Sequence, residues 1–365
     1  MIIGIPKERR PFEARVGLPP AAVEILGQHG HQVYVEHEAG AKLGFDDRQF
    51  EQAGARIAYS PEEVFGRADL LLKVTRPTQD EINWLQPGSA IAGLLHLSSS
   101  RRDKVDAMLE KKITSIAYEQ IQLPDGSLPV LRPLSMIGGA MAAQIAARLL
   151  QNNWGGKGIL MGGVPGVPPA EAVVIGAGIV GTYATQMLLG MGAHVTVIDQ
   201  NVNALQALWD RHPCIVTMMS TKRNIERATA FADVVVGAVL VPGQRAPILV
   251  TREMVRGMKP RSVIIDVSID EGGCVETSRP TNHEHPVYIE EGMLHYCVPN
   301  MPGAVARTAT YAFVNAAMPY IEKIANLGVE NAFETDPAIS RAINTHNGEL
   351  VHLSLLPKGG DDGLD

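Results

Sequence analysis

The stretch Glu171-Ala-Val-Val-Ile-Gly-Ala-Gly-Ile-Val-Gly181 decides how the chain is read. An apolar run, Ala172 to Ile175, stops at Gly176 and opens a G-x-G-x-x-G sequence with glycines at 176, 178 and 181. A helix-like stretch follows, then a second apolar run, Val195 to Ile198, closed by Asp199. Strand, glycine turn, helix, strand and acid form a dinucleotide-binding βαβ pattern. Gly176 lets the chain turn sharply, Gly178 removes a Cβ that would hold a pyrophosphate off the backbone, and Gly181 lets helix and strand pack closely. The pyrophosphate then meets the helix N-terminus, with Ile179 and Val180 in its first turn, where free N–H groups and the helix dipole favour an anion. Asp199 lies eighteen residues after Gly181. A carboxylate there accepts the ribose hydroxyls of NAD and repels the 2′-phosphate of NADP. A glycine-rich turn alone also occurs in unrelated α/β sheets; the two strands and the acid in register point to NAD.

The length of 365 residues is enough for two domains with separate cores. A hydrophobic fraction of 45% and a charged fraction of 19% are those of an ordinary globular protein. A net charge of −7 leaves no basic excess for phosphates, which argues against nucleic acid as a partner. Cys214, Cys274 and Cys297 lie far apart without a CxxC pair, so they read as reduced thiols of a cytoplasmic protein, not as a disulfide set or metal site. Met1 to Pro6 reads as a first strand, not a signal peptide, and no run of about 18 apolar residues predicts a membrane span. The polar tail Lys358 to Asp365 reads as frayed.

Strand and helix signals alternate from the start. Strands are expected at Ile2 to Ile5, Gln32 to Val35, Leu70 to Val74, Ser89 to Leu97 and Thr114 to Tyr118. Helices are expected from Pro19-Pro20 through about Gln28, over Asp46 to Ala53, after a Ser60 N-cap, over Thr78 to Leu85 and over Arg101 to Lys112. This rhythm predicts a parallel sheet covered by helices. Ser135 to Gln151, nearly uncharged, reads as a buried helix joining two domains, with Gly138 and Gly139 marking a close approach. Strands near Ile215 to Met218, Val234 to Val239 and Val263 to Val267 complete a second doubly wound sheet. Thr308 to Ile324 is a long final helix, and sequence order alone leaves open which domain it covers.

In open α/β sheets ligands bind beyond the carboxyl ends of the strands. The polar residues there are Lys73, Thr75, Arg76, His96 and Glu119 in the first half and Asp199, Ser220, Asp266 and Asp270 in the second, with Arg15 just after the first strand. His96 suits proton transfer because imidazole titrates near neutral pH, although the plainer reading is a histidine bonded in a polar crevice. Arg15 offers a two-point fork for a carboxylate, against the plainer reading of a solvated loop arginine. Asp270 reads most simply as a turn-forming residue in Ile269-Asp-Glu-Gly-Gly273.

Taken together, several stretches resemble the alanine dehydrogenase family, which is related to the NAD(H)-binding part of proton-translocating transhydrogenases. They are Gly4-Ile-Pro-Lys-Glu8, Glu13-x-Arg-Val16, Leu70-Leu-Leu-Lys-Val74, Leu95-His-Leu97, Thr114-Ser-Ile-Ala-Tyr-Glu119, Met161-Gly-Gly-Val-Pro-Gly-Val167, Gly237-Ala-Val-Leu-Val-Pro-Gly243, Asp270-x-Gly-Gly-Cys274 and Pro299-Asn-Met-Pro-Gly303. The resemblance implies an α/β fold of two Rossmann-like, doubly wound parallel-sheet domains with a cleft between them. Residues 1–134 plus 308–365 would form the substrate domain and 135–307 the NAD-binding domain, so the final helix would return to the first. It also implies oxidation of L-alanine by NAD to iminopyruvate, hydrolysed to pyruvate and ammonium, in a homohexamer. Arg15 would hold the substrate carboxylate, with Lys73 and Thr75 beside it. His96 would be the general acid/base, Asp270 would assist beside the nicotinamide, and Asn300 and Met301 would line the site. Asp199 would hold the ribose, Ser220, Val239 and Leu240 would frame the adenine, and Ser135 and Val267 would lie along the cofactor; no metal is implied.

Two departures stand out. Relatives carry Lys-Val-Lys-Glu-Pro where this chain reads Lys73-Val-Thr-Arg-Pro77, so Thr75 replaces a lysine that contacts the substrate oxygen. Strand alternation puts Arg76 on the face opposite Thr75, so Arg76 reaches the site only if the strand bends before Pro77. Ala140 stands where relatives usually carry arginine. Three readings result: an L-alanine dehydrogenase; a dehydrogenase of another amino acid or imine, with Thr75 and Arg76 as specificity residues; or a transhydrogenase-like NAD(H)-binding subunit, for which a retained carboxylate clamp has no use.

Overall fold

The computed structural model describes residues 1–241 and 245–353. The tail from Lys358, and Pro242 and Gly243 of the Gly237–Gly243 stretch, lie outside the described residues. The chain forms two units: Met1–Leu134 with the segment from Gly303 onward, and Ser135–Pro302.

The first unit contains β1 (Ile2–Ile5), β2 (Gln32–Glu36), β3 (Arg56–Ala58), β4 (Leu70–Thr75), β5 (Ala90–Leu94) and β6 (Thr114–Ala117). They pair in parallel in the order β3-β2-β1-β4-β5-β6. The order reverses between β1 and β4, and such a reversal opens a crevice at the carboxyl ends. Ile3, Ile5, Leu70, Leu71 and Ile91 are wholly buried, as expected of strands covered on both faces. The flanking helices start where local chemistry satisfies their first N–H groups. Asp46 and Thr78 form reciprocal capping boxes with Gln49 and Glu81. Ser60 Oγ accepts from Glu63 N, while the Glu63 carboxylate turns to Arg67.

The long helix Ala306–Leu327 packs on this first unit. Thr310 Oγ1 accepts from Val16 N at 3.5 Å, Arg307 donates to Leu43 O at 2.9 Å, and Tyr311 meets Phe45 edge-on. The helices Val329–Thr335 and Pro337–Ala342 follow. A hairpin at Ile343–His346 and Glu349–Leu350 then adds two antiparallel strands beyond β6.

In the second unit the strands are β7 (Glu171–Ile175), β8 (His194–Asp199), β9 (Val216–Met219), β10 (Val234–Gly237), β11 (Val263–Asp266), β12 (Val287–Glu290) and β13 (Met293–Tyr296). Their order is β12-β13-β11-β10-β7-β8-β9, parallel except for β12 on β13, and it reverses between β7 and β10. Val173, Ile175, Ile198, Val235 and Ile264 lie in its core. The helix Arg132–Leu149 starts three residues before the expected Ser135. A Cβ at Gly139 would lie 2.2 Å from Val180 O, so the backbones touch there; at Gly138 the contact would be an ordinary 3.8 Å to Val267.

Four expected strands end early. β5 stops at Leu94, not Leu97, so His96 stands beyond the strand, not at its last position. β6 ends at Ala117, and β10 and β11 end at Gly237 and Asp266, because the chain then turns into loops and short 3₁₀ segments such as Val267–Glu271. No described helix is long and apolar enough to cross a membrane.

Gly139→Ala should destabilise the protein by about 1–3 kcal/mol, the usual cost of forced overpacking. Chemical denaturation would measure it, and Gly138→Ala should cost distinctly less.

Candidate functional site

At the β1/β4 reversal a charged cluster is buried. Lys73 Nζ lies 3.2 Å from Glu8 Oε2 and 2.7 Å from Glu81 Oε1, and all three side chains are almost fully enclosed. Burial disfavours the ammonium, but the two carboxylates outweigh it and hold the Lys73 pKa above its ordinary value. Glu8 is used at both oxygens: Oε1 accepts from Val74 N at 2.7 Å, and Oε2 also accepts from Thr75 Oγ1 at 2.6 Å. Lys73 and Thr75 thus converge on Glu8. The threonine hydroxyl donates to a protein carboxylate.

His96 occupies a left-handed backbone conformation, φ 43°, which costs a non-glycine residue energy. Its surroundings hold it there. The Glu119 carboxylate accepts from both Leu95 N (3.1 Å) and His96 N (2.6 Å), and His96 O accepts from Ser99 Oγ at 3.0 Å. The His96 side chain is half exposed, with Nδ1 4.0 Å from Glu119. The imidazole is therefore open to a ligand, and the Glu119 carboxylate fixes the backbone that carries it.

Arg15 is not a solvated loop residue: it is 2% exposed. Glu13 holds it through a two-point fork, with Nε at 2.8 Å and Nη2 at 2.6 Å. Arg15 also lines a small pocket with Lys7, Glu8, Glu13 and Lys42, of about 10 Å³, room for one water.

In the second unit the glycine turn has the geometry of a phosphate cradle. Gly176 has φ 110°, and a Cβ there would strike Ala238 O at 2.2 Å; one at Gly181 would strike Gly176 O at 1.8 Å. A Cβ at Gly178 would meet nothing within 4 Å, so the backbone there stands open at the start of the helix Ile179–Gly190, and Ile179 is also exposed. Asp199 Oδ2 accepts from Ala177 N at 2.6 Å and Oδ1 from Asn201 N at 2.7 Å, which fixes the carboxylate beside the turn. Ser220 N donates to Asp199 O, and Val239 N donates to Ser268 Oγ, so these segments flank the same strand ends. These residues fit a dinucleotide: an open, Cβ-free approach at a helix N-terminus and a fixed acid at the neighbouring strand end.

Asp270 is exposed on the 3₁₀ turn after β11, and its Oδ1 accepts from Asn300 N at 3.2 Å. Asn300 is left-handed, φ 53°. Met301 is 3% exposed and therefore packs inward. Asp266, also at a strand end, is structural: it is buried and accepts from Ser268, Cys274 and Val275 N. Among the described residues no cluster of His, Cys, Asp and Glu could hold a metal. Sequence reasoning assigned no role to Glu8, Glu13 or Glu81. Glu13 carried a usable signal, two residues from Arg15; Glu8 did not, because Lys73 is 65 residues away.

Two doubly wound sheets and an open glycine turn with its acid define an α/β dinucleotide-binding protein. Family models for the alanine dehydrogenase/PNT N-terminal domain match residues 4–138, and those for the C-terminal domain match 142–353. The chain belongs to the alanine dehydrogenase/PNT family. It is 46% identical to an alanine dehydrogenase of Methanococcus maripaludis over 97% of this chain and 95% of that one. Among solved structures it is similar to an L-alanine dehydrogenase (TM-score 0.93, 44% identity, 96% and 97% of the two chains). It is also similar to a transhydrogenase from Sinorhizobium meliloti (TM-score 0.82, 26% identity, 96% and 99%).

Lys73→Met should destabilise the protein by about 3–5 kcal/mol, because it strands two buried carboxylates; denaturant titration checks this. The raised pKa also sets a pH window. The contribution of Lys73 is complete below its unfolded value near pH ~10.4 and is lost only as pH rises through the higher folded value.

Proposed function

We propose that the protein is an NAD-dependent L-alanine dehydrogenase that interconverts L-alanine and pyruvate plus ammonium. The observation that carries this reading is the likeness to alanine dehydrogenases over nearly the whole chain, together with Arg15, His96 and Asp270 at the ends of strands. NAD, when bound, supplies the acceptor for the hydride of the alanine Cα. The chain's own residues do the rest. Arg15, held rigid by Glu13, meets the substrate carboxylate. His96 takes a proton from the water that adds to the imine carbon and returns one to the departing nitrogen. Asp270, fixed by Asn300 N, assists the water and ammonia steps. Gly178 and the helix start after it receive the pyrophosphate, Asp199 the ribose, and Ser220, Val239 and Leu240 border the adenine. Ser135 and Val267 lie along the cofactor. We infer that the first unit takes the substrate and the second the cofactor, and that the protein works as a cytoplasmic homo-oligomer, a hexamer by its family.

A second reading keeps the hydride chemistry and changes the substrate to another amino acid or imine. It is favoured by Thr75, whose hydroxyl donates to Glu8 where the family resemblance implies a lysine.

NADH should form with L-alanine at alkaline pH. Absence of turnover across a series of pH values, alongside tight NADH binding, would refute the alanine assignment, and a panel of amino acids would then find the alternative. Asp199→Ala should weaken the preference for NAD over NADP; a wild-type enzyme that prefers NADPH would overturn the cofactor assignment.

A further inference from the structure

Residues 135–193 of the second unit hold three charged side chains, Arg148, Lys157 and Glu171, where the chain's average of 19% would give about 11. Lys157 and Glu171 are partly buried and tied inward, to Asp233 at 2.6 Å and to His194 at 2.7 Å. Among the exposed positions of this stretch Arg148 alone is charged. Its guanidinium lies over the Trp154 ring, 3.7 Å from the centroid.

At the centre of the stretch is a hairpin made without polar side chains. Residues 159–170 read Ile-Leu-Met-Gly-Gly-Val-Pro-Gly-Val-Pro-Pro-Ala. Leu160, Val164 and Val167 are 64%, 55% and 59% exposed. The hairpin is fixed by its backbone. Val164 and Val167 exchange hydrogen bonds at 3.1 and 2.8 Å, and Ala170 N donates to Met161 O at 2.9 Å. Pro165 and Gly166 make the turn, and Gly166 has the positive φ, 86°, that a type II turn needs at its third residue. A Cβ at Gly162 would lie 2.5 Å from Met191 O, so the base of the hairpin rests against the end of the helix Ile179–Gly190. That helix carries no charged residue, and Tyr183 and Met187, one turn apart on it, are partly exposed.

An ordered surface that holds aliphatic side chains in water marks a place of contact. Charge decides with what. An anionic membrane or a charged protein partner would be met by basic or acidic groups around the hairpin, and the only one exposed in this stretch is engaged with Trp154. Two copies of this chain, each with a net charge of −7, repel one another. A two-fold contact sets the same patch against itself, so it is favoured where the patch has no like charges to oppose. The centres of contacts between identical chains are poor in charge and rich in Met and aromatic residues, as Trp154, Tyr183 and Met187 are here.

We propose that the hairpin at residues 160–167, with the uncharged helix surface beside it, is where a second copy of this chain docks. The inference rests on the homo-oligomer part of the proposed function and names the surface that forms it. It does not depend on alanine as the substrate.

The test is sedimentation velocity of the full chain over a dilution series, with folding checked by circular dichroism. The wild type should sediment as a multimer, and added salt should not disperse it, because a contact without charges is not screened. Leu160→Asp and Val164→Asp should each weaken association about 10- to 100-fold and leave the fold intact. Ile289→Asp is the control: Ile289 is 66% exposed on β12, outside this surface, and its substitution should leave association unchanged. A monomeric wild type overturns the proposal. So does a multimer that neither hairpin substitution weakens, or one that Ile289→Asp weakens equally. A monomeric wild type that co-sediments with phosphatidylcholine vesicles overturns it in favour of a lipid surface. All these outcomes leave the dehydrogenase reading to be judged by NADH formation. A wild type that assembles through the hairpin but turns over no amino acid removes only that reading. If the Asp variants fail to fold, Leu160→Ser combined with Val164→Ser takes their place, and unchanged association in that pair overturns the proposal.

Discussion

Lys73 Nζ, enclosed between two carboxylates, ties together the working edge of the first sheet. An ammonium removed from water costs several kcal/mol unless opposite charges and hydrogen bonds surround it. Glu8 comes from the loop after β1 and Glu81 from the helix after β4, so the charge is stable only when both segments are in place. Arg9 extends the chain of charges from Glu81 to Glu36 on β2. The point where the strand order reverses thus carries a buried charge network beside its apolar strands. Glu8 accepts from Lys73 Nζ, Val74 N and the Thr75 hydroxyl together.

The second unit reaches the same strand order by different means. Its reversal point contains backbone against backbone: no Cβ fits at Gly176 or Gly181. Asp199 ties the turn to the neighbouring strand through Ala177 N. Removing side chains leaves N–H groups facing outward, which suits a polyanion. The first unit instead concentrates charged side chains, which suits a small zwitterion or oxo acid. The division of labour proposed for the two units follows from these two ways of building the same edge.

Much of the fold was legible in the sequence because strands buried on both faces carry continuous apolar runs, as Leu70 to Leu72 and Ala172 to Ile175 do. The hairpins Val287–Glu290 with Met293–Tyr296 and Ile343–His346 with Glu349–Leu350 were not read, their strands being short. Both edge hairpins nevertheless carried a signal: Glu291-Gly292 and Asn347-Gly348 have positive φ at both positions, as tight two-residue hairpin turns require. The strand end at His96 was misplaced because nothing in Leu95-His-Leu97 marks a left-handed residue. The Glu119 carboxylate, from the next strand end, and Ser99 Oγ hold it there.

The sequence by itself determined the doubly wound α/β class, the glycine turn with Asp199, and the set of polar residues at strand ends, because each is written in local spacing. How those residues are held was decided by tertiary structure. Glu8 and Lys73 meet across 65 positions, and Arg15 is buried with Glu13, not solvated in a loop. Arg76 donates to Ser99 in the His96 turn, and β4 holds one residue more than β5 between matched pairs. A bulge depends on the register of two strands, and register belongs to the assembled sheet, not to either segment alone.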